Sequence, residues 1–335
     1  MKQRVLVLFG GESSEHDVSI ASARNVVAAL DASAYDISLC YISRDGVWKL
    51  VESPDSLEGN VSLRPVLGEK RFVASDGEDL AVDVLLPVLH GIHGEDGDVQ
   101  GLARLLHIAC VGPSLIGAAV TMDKDLTKRL LRDANIPVVD WVCWRTSDER
   151  PIYDDIAEQL GSTLFVKPSN AGSSVGVTRV SDLTTFESAL DGAAEHDSLV
   201  LIERAVKGRE IEVAVLGNQE PQVTAGGEIV PGEEFYSYDD KYSPDSKSEV
   251  IIPADLDEIV SSTIKRYALD AYKATRGQGM ARIDFFVSED NGIYLNEINS
   301  IPGFTDISMY PKLWGNEGLS YTKLLDKLIS LSLES

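Results

Sequence analysis

The chain has 335 residues, 44% of them hydrophobic, and a formal net charge of −24. This length predicts two or three domains, and the apolar content is sufficient for buried cores. The negative charge argues against binding to nucleic acid or to an anionic membrane surface, because both require basic protein surfaces. The sequence contains no run of 18 apolar residues, so we expect no membrane-spanning segment.

The N-terminus and the cysteines favour a cytoplasmic protein. The first apolar run follows a basic start and leads into Gly10-Gly11 and acidic residues, not into a small-residue cleavage site. We therefore expect a strand there and no signal peptide. Cys40, Cys110 and Cys143 form no CxxC pair and have apolar neighbours, which is typical of buried free thiols in a reducing compartment.

The first third of the sequence alternates between apolar strands and helical segments. Strands are predicted at 4–9, at about 36–42 and at 82–89, with a helical pattern at about 18–30. The third strand is almost entirely apolar, as in a strand that is covered on both faces. It leads into the Gly-rich loop HGIHGEDGDVQG and then a helix. This order predicts an open parallel α/β sheet that binds ligands at the carboxyl ends of its strands.

The rest of the sequence mixes strands and helices in a different order. Helices are predicted at 123–135, at about 256–274 and at about 321–331. The polar, tyrosine-rich stretch at 231–249 is predicted to be an active-site loop or lid. Strands are predicted at 138–144, 163–166, 175–180, 199–203 and 211–216.

A predicted hairpin near the C-terminus carries polar residues on one face. Its strands, ARIDFFV and IYLNEIN, flank a turn that ends in Asn291-Gly292, a pair that favours tight hairpins. Because side chains alternate along a strand, Glu297 and Asn299 share one face, and pairing about the turn places Asp284 opposite them. One explanation is a solvated sheet face. The other is a hard cation, Mg²⁺ or Mn²⁺, which binds carboxylates and completes its shell with water and substrate phosphates.

The metal hypothesis requires a phosphate site elsewhere, and FVKPSNAGSSVGV at 165–177 fits this need. Small residues let backbone N–H groups approach phosphate, the serines add donors, and Lys167 adds a positive charge. This segment matches neither the Walker loop nor the Rossmann fingerprint, and an ordinary turn remains the alternative. Lys124 is a second candidate, although alone it fits a surface helix position better. Glu203 and Glu210 either meet a nucleotide or lie on a solvated edge.

In order and spacing these segments resemble the ATP-grasp superfamily. Lys124, VKPSNAGSSVGV, LIERAVKGREIEV, ARIDFF and LNEINSIPGF carry this resemblance, which covers the whole chain. Within the superfamily, LFGGESSEHDVS, LHGIHGEDG, FYSYDDKY and PGFTDISMYPKLW resemble the D-alanine–D-alanine ligase family. That resemblance implies a cytoplasmic enzyme, expected to be a homodimer, that acts in the synthesis of peptidoglycan precursors.

The implied fold combines α/β and α+β parts. It has an N-terminal open parallel α/β (Rossmann-like) domain at 1–121, a central ATP-grasp domain at 122–216 and a C-terminal ATP-grasp domain at 217–335, with the lid at 231–249. ATP lies between the last two domains. By this resemblance its site consists of Lys124 and Lys167 at the phosphates, Gly172 and Ser174 in the covering loop, Glu203 at the adenine edge, Glu210 at the ribose, Phe165 and Phe286 around the base, and Lys241 at the γ-phosphate. Two Mg²⁺ or Mn²⁺ ions bound by Asp284, Glu297 and Asn299 bridge the phosphates.

The implied reaction joins two D-alanines through D-alanyl phosphate at the expense of ATP. Such chemistry needs a neutral attacking amine and donors for the tetrahedral oxyanion. By the resemblance, Arg282 and the Gly303 N–H form the oxyanion hole, Glu15 with His90 holds the first ammonium, Ser308 and Met309 receive the second carboxylate, and Tyr242 links through Ser173 to Glu15. A helix cap is the alternative for His90, and lid packing is the alternative for Tyr242.

The resemblance also favours D-alanine as the acceptor. D-alanyl-D-lactate ligases lack the lid tyrosine found here as Tyr242, and D-alanyl-D-serine ligases differ where this chain has ISMYP. Both remain alternatives. A nucleotide-binding module without catalysis is disfavoured because it would not need Arg282 beside the metal residues. A dinucleotide-binding dehydrogenase is disfavoured because GxGxxG is absent and acids, Glu12 and Glu15, stand where the pyrophosphate would lie.

Overall fold

The computed structural model describes residues 2–230 and 248–334. Within these residues the strands form three separate sheets, of eight, four and six strands. Almost all of the predicted lid lies outside the described residues, and so do Lys241 and Tyr242. None of the described helices is both long enough and apolar enough to span a bilayer.

The first sheet lies in the N-terminal part of the chain. Its strands follow the order β6-β5-β4-β3-β2-β1-β7-β8, in which β2, β1, β7 and β8 are parallel and the other pairings are antiparallel. The elements are β1 (Gln3–Gly10), α1 (His16–Ala29), β2 (Tyr35–Ile42), β3 (Trp48–Val51), β4 (Val61–Pro65), β5 (Arg71–Ala74), β6 (Asp79–Ala81), β7 (Val84–Pro87), α2 (Asp98–Leu106), β8 (Ala109–Cys110) and α3 (Leu115–Met122). The parallel part confirms the expected α/β sheet, whereas the antiparallel extension from β3 to β6 was not predicted.

The second sheet is antiparallel and follows the order β11-β10-β12-β9. Its elements are α4 (Lys124–Asp133), β9 (Trp141–Arg145), α5 (Tyr153–Leu160), β10 (Leu164–Pro168), β11 (Thr178–Val180), α6 (Leu183–Ala194) and β12 (Leu199–Arg204). One face of the sheet packs on α5 and α6 in a core that contains Leu164, Val166 and Ile202. The opposite face carries Phe165, Lys167 and Glu203.

The third sheet follows the order β16-β15-β13-β17-β18, with β14 paired to β13. Its elements are β13 (Gly208–Leu216), β14 (Gln222–Val223), β15 (Gly227–Val230), β16 (Glu249–Ile251), α7 (Glu258–Ala274), β17 (Met280–Ser288), β18 (Ile293–Asn299), α8 (Met309–Asn316) and α9 (Tyr321–Ser332). β13 pairs with β15 and β17, although the sequence-based division places it in the central domain. The division at 121 and 216 remains a proposal.

Two predicted strands begin later than expected. The strand at 175–180 is limited to Thr178–Val180, because Ser173, Ser174 and Gly176 adopt positive φ angles and shape the preceding residues into a loop. The strand at 138–144 begins at Trp141, and Val138 forms an isolated bridge with Leu295 of β18. That bridge connects the segment before β9 to the third sheet.

One hydrophobic core is shared between the two ends of the chain. Val5, Val7 and Phe9 of β1 pack with residues of α1 and also with Leu325 and Leu328 of α9. The alternate residues of β1 pack with α2 in a second core. Each face of the parallel sheet is therefore covered, as its apolar strands predict, and the C-terminal helix supplies part of one cover.

Candidate active site

Two loops meet at the carboxyl ends of the adjacent strands β1 and β7, where parallel sheets bind ligands. The first carries Glu15, which is buried at the start of α1. A Cβ atom on Gly91 would lie 3.2 Å from Glu15 Oε2, and one on Gly172 would lie 2.7 Å from the same oxygen. The Glu15 carboxylate therefore lies between two glycines that a larger residue could not replace without displacing it.

The second loop carries His90 and Glu95. His90 is buried, and its two ring nitrogens contact the Ile301 carbonyl oxygen at 3.2 Å and Ser22 Oγ at 3.3 Å. Burial lowers the pKa of His90. The Glu95 carboxylate accepts hydrogen bonds from the N–H groups of Gly91 at 2.8 Å and Ile301 at 3.3 Å. Burial, and next the charge of Glu15, raise the pKa of Glu95 to about 8.

The family resemblance implies a link between Ser173 and Glu15, and the two are in contact. Ser173 Oγ donates a hydrogen bond to Glu15 Oε1. Ser173 and Ser174 both have positive φ angles, which non-glycine residues adopt rarely. Lys124 Nζ donates to the Ala171 carbonyl oxygen at 2.5 Å and so reaches the same loop.

A buried charge cluster includes Lys167 of β10, the strand that leads into the loop. Lys167 Nζ lies 2.7 Å from Glu203 Oε2, and Lys128 Nζ lies 2.9 Å from Glu203 Oε1. Burial alone would raise the pKa of Glu203, but the two lysines hold it below its ordinary value. Lys128 was not among the residues predicted from the sequence. Its position one helical turn after Lys124, on the same side of α4, was the available signal.

The hairpin of β17 and β18 presents the predicted metal residues on one face. Asp284 is paired with Glu297, and Arg282 with Asn299. Asp284 therefore lies across from the predicted pair, although the register is not that of a two-residue Asn-Gly turn. Arg282 donates to both oxygens of Asp284, at 2.8 and 2.7 Å, and Asn299 Nδ2 lies 3.0 Å from Asp284 Oδ2. Arg282 Nε also lies 3.0 Å from Glu212. Burial opposes the charge of Arg282, but Asp284 and Glu212 raise its pKa, so it stays cationic.

The hairpin departs from the sequence prediction in two details. Its turn closes with the Ser288 N–H and the Gly292 carbonyl oxygen, 2.9 Å apart, and Asn291 alone has a positive φ angle. The loop therefore has three residues instead of two. In β18, Asn296 is an extra residue between the Asp284–Glu297 and Phe285–Leu295 pairs. This β-bulge was readable from the Leu295-to-Ile298 spacing, because both are buried and a regular strand alternates by two.

The proposed nucleotide residues lie on two different sheets. Phe165 is paired with Glu203 on the second sheet, and Phe286 is paired with Glu210 on the third. Directly paired residues of antiparallel strands share a face, so each ring lies beside its carboxylate. The placement is compatible with a base between the rings and a ribose near Glu210, and these roles remain proposals.

The segment after β18 carries the remaining candidates. A Cβ atom on Gly303 would lie 2.7 Å from Ser308 Oγ, so the two are neighbours. Ser308 is the N-cap of α8, where the helix dipole favours a carboxylate. The Met309 side chain is buried against Gly227. We therefore expect the Met309 backbone N–H, and not its side chain, to meet a substrate.

Most of these residues line one pocket that extends from Glu15 and Ser173 to Arg282, Glu297 and Ser308. Lys124 lines a smaller pocket that also borders Ser173 and Glu297, whereas Phe165, Lys167, Ser174 and Glu203 line neither pocket. A larger groove of about 1510 Å³ lies at the opposite ends of the strands, around Arg4 and Arg104, and includes no predicted site residue. The arrangement thus brings the predicted phosphate loop, the predicted metal residues and Glu15 together. The fold and these side chains define the class of protein, which is an ATP-grasp enzyme.

Comparisons with known proteins match this chain to one enzyme family over nearly its whole length. Residues 4–113 match the family model for the D-ala D-ala ligase N-terminus, and residues 130–330 match that for the C-terminus. A D-alanine–D-alanine ligase of Proteus mirabilis is 45% identical over 350 residues, covering 99% of this chain and 96% of that protein. The chain belongs to the D-alanine–D-alanine ligase family.

Solved structures of similar proteins give the same result. The D-alanine–D-alanine ligase from Coxiella burnetii has a TM-score of 0.89 and 38% identity, over 99% of this chain and 94% of that chain. The VanG D-Ala:D-Ser ligase from Enterococcus faecalis has a TM-score of 0.90 and 33% identity, over 99% of this chain and 100% of that chain.

Proposed function

We propose that this protein joins two D-alanines into D-alanyl-D-alanine with ATP, through a D-alanyl phosphate, for the synthesis of peptidoglycan precursors. The observation that carries the proposal is the contact between Glu15 and Ser173. It places a buried carboxylate, suited to an ammonium group, directly beside a loop suited to phosphate. An enzyme that phosphorylates the carboxylate of an amino acid needs those two functions next to each other.

The first step transfers the γ-phosphate of ATP to the carboxylate of the first D-alanine. Lys124 and Lys167 place positive charge at the loop, which offsets the charge of the phosphates. Glu15 holds the ammonium group of that D-alanine. Lys241, which lies outside the described residues, is proposed to reach the γ-phosphate.

In the second step the amine of the other D-alanine attacks the acyl phosphate, and inorganic phosphate leaves. The tetrahedral intermediate carries an oxyanion, for which Arg282 and the Gly303 N–H are the proposed donors. The guanidinium has five N–H donors, so it can bind an oxyanion as well as Asp284. Ser308, at the start of α8, is proposed to hold the second carboxylate, and Tyr242, outside the described residues, to assist proton removal.

The metal proposal rests on the donor atoms of the hairpin. Asp284, Glu297 and the amide oxygen of Asn299 are hard oxygen ligands on one face, which suits Mg²⁺ or Mn²⁺. We propose that these three residues hold two such ions. When bound, the ions would neutralise negative charge on the phosphates of ATP during transfer of the γ-phosphate.

D-Serine is the alternative acceptor, because one similar structure is that of a D-Ala:D-Ser ligase. D-Alanine is preferred because curated relatives at 42 to 45% identity carry the name D-alanine–D-alanine ligase. A D-lactate acceptor is disfavoured by the lid tyrosine noted above. A homodimer and a cytoplasmic location stay predictions from the sequence.

The test is phosphate release from ATP with Mg²⁺ and each acceptor in turn, with dipeptide or depsipeptide measured in the same samples. We expect release to require both D-alanine and the metal, and to equal the dipeptide formed. L-Alanine serves as the control for stereochemistry. Equal ATP turnover without D-alanine, or undiminished turnover in the presence of a chelator, would contradict the proposal. A preference for D-serine or D-lactate would show that the acceptor is not D-alanine.

A further inference from the structure

A single residue of the C-terminal segment is held through its backbone by two side chains of the N-terminal part. The Ile301 N–H donates to Glu95 Oε1 at 3.3 Å, and the Ile301 carbonyl oxygen lies 3.2 Å from His90 Nδ1. Glu95 and His90 belong to one loop, the one that follows β7. Ile301 lies between Asn299, a proposed metal ligand, and Gly303, a proposed oxyanion donor.

The protonation of His90 follows from its neighbours. A carbonyl oxygen only accepts hydrogen bonds, so Nδ1 must carry the proton, and burial favours the neutral ring. Nε2 is then an acceptor and takes the hydrogen of Ser22 Oγ at 3.3 Å. Ser22 Oγ in turn accepts the Phe304 N–H at 3.3 Å.

The contacts therefore flank Gly303 on both sides. Glu95 and His90 hold Ile301, two residues before it, while Ser22 holds Phe304, one residue after it. Ile301, Phe304 and Ser22 are all buried, with at most 3% of their surface exposed, so these N–H groups have little access to water as a substitute partner. Loss of one acceptor leaves an N–H group unsatisfied in the interior.

We propose that Glu95 and Ser22 are positioning residues, which act with His90 to hold the segment 301–304 so that the Gly303 N–H points at the reacting carbonyl. This inference rests on the proposed function, since it concerns the geometry of the same site. Glu95 also accepts the Gly91 N–H, so it fixes the segment relative to the loop beside Glu15. The three residues thus set the distance between the ammonium pocket and the oxyanion donor.

The alternative is that these contacts only stabilise the fold. The two possibilities differ in kinetics, because a misplaced donor lowers kcat while ATP still binds. A displacement of about 1 Å at a reacting centre costs up to about 100-fold in rate. A merely structural contact would lower activity only in proportion to the folded fraction.

The experiment compares Glu95→Gln and Ser22→Ala with the wild type. Glutamine keeps the shape of Glu95 but offers only one acceptor oxygen, so one of the two N–H groups loses its partner. We expect kcat for ligation to fall at least about 10-fold in each variant, with KM for ATP within about twofold. Glu317→Gln is the matched control, since Glu317 also accepts a backbone N–H, that of Ala225, at 2.8 Å, and lies outside the pocket.

The double variant gives a second, independent readout. Both substitutions loosen one segment, so their combined loss in kcat should be clearly smaller than the product of the single losses. Wild-type kcat in both single variants would overturn the inference, as would a loss that matches the folded fraction, or fully multiplicative losses. Failure of the proposed function would look different, because the wild type itself would then release no phosphate in response to D-alanine.

Discussion

At the scale of single residues, Arg282 joins two proposed functions. It forms a two-point ion pair with Asp284, and its Nε lies 3.0 Å from Glu212, so it is surrounded by acidic groups on the face that is proposed to bind metal. The cation therefore balances the carboxylates when no ion is bound. The same guanidinium is proposed to meet the oxyanion, which requires a planar group fixed in one orientation.

Arg282→Lys should lower kcat by about 100- to 1000-fold, the usual cost of losing one oxyanion donor. Lysine keeps the positive charge but cannot hold Asp284 at two points, so we also expect a raised Mg²⁺ requirement. Steady-state rates at several Mg²⁺ concentrations measure both effects. Arg4→Lys is the control, because Arg4 forms a similar two-point pair with Asp83 far from the pocket. A near wild-type kcat in Arg282→Lys would assign Arg282 a structural role only.

Glu95 predicts a pH effect on stability. Its pKa is about 8 in the folded protein against an ordinary 4.5, so the folded state binds this proton more tightly than the unfolded state. The resulting stabilisation is complete below pH 4.5 and is lost as the pH rises through 8. Relative to Glu95→Gln, the ligand-free wild type should lose roughly 4 kcal/mol of unfolding free energy between pH 5 and pH 9, at about 1.4 kcal/mol per pKa unit.

Denaturant unfolding of both proteins across that pH range tests this expectation. The comparison with Glu95→Gln cancels the contributions of other titrating groups, such as His93, whose pKa is raised mainly by its hydrogen bond to Asp98. Glu317→Gln, which alters an exposed glutamate, should run parallel to the wild type. Parallel curves for Glu95→Gln and wild type would mean that Glu95 titrates normally in the folded protein.

At the scale of elements, the hairpin of β17 and β18 combines a regular register with one irregularity. The residue pairs before and after Asn296 each stay on one face of the sheet. Asp284 and Glu297 lie on the site face, and Phe285 and Leu295 lie in the core. A β-bulge adds local twist and bend to its strand, and bulges are common next to active sites. The extra residue therefore sets the direction of Glu297 without changing its pairing.

Deletion of Asn296 should leave the protein folded but weaken Mn²⁺ binding about 10-fold or more. The register on both sides is preserved, whereas the bend that directs Glu297 is lost. Titration with Mn²⁺, followed by the relaxation of water protons, measures the affinity. Asn296→Ala keeps the bulge and removes only the side chain, so it should bind Mn²⁺ nearly as the wild type does. Equal affinity in all three proteins would show that the bulge has no part in the metal site.

At the scale of the whole molecule, the two ends of the chain form one core. Leu324, Leu325, Leu328 and Ile329 of α9 pack in the core that includes alternate residues of β1. The second sheet has a separate core around α5 and α6. The N-terminal sheet should therefore depend for its stability on the last helix, although more than 300 residues separate α9 from β1 in the sequence.

Leu328→Ala should destabilise the N-terminal sheet by about 2–5 kcal/mol, the usual cost of truncating a buried leucine. Hydrogen exchange should rise in β1 and remain unchanged in β10. Leu190→Ala is the matched control, because Leu190 is equally buried in the core of the second sheet and should affect β10 instead. Faster exchange in β10 alone after Leu328→Ala would contradict the shared core.

The sequence by itself determined the local features of this protein. Alternation was enough to put Glu297 and Asn299 on one face with Asp284 across from them, but a two-residue Asn-Gly turn would have paired Asp284 with Asn299 instead of Glu297. Glycines and serines after an apolar strand suggested a phosphate loop but left an ordinary turn as the alternative, and phosphate binding there stays a prediction. The resemblance to a ligase family supplied the roles of residues such as Arg282, which no spacing rule could give.

Only the tertiary structure decided which distant residues meet. From the sequence, Lys128 would be assigned to the surface, but in the fold it pairs with Glu203 of β12. Glu95 would be assigned to an ordinary acidic loop, but it accepts the N–H of Ile301, which lies more than 200 residues away in the sequence. The same holds for α9, whose apolar face is clear in the sequence but whose partner, β1, is not. Local periodicity fixes which side of an element is apolar or polar, whereas the choice of partner depends on how whole sheets and helices fit together.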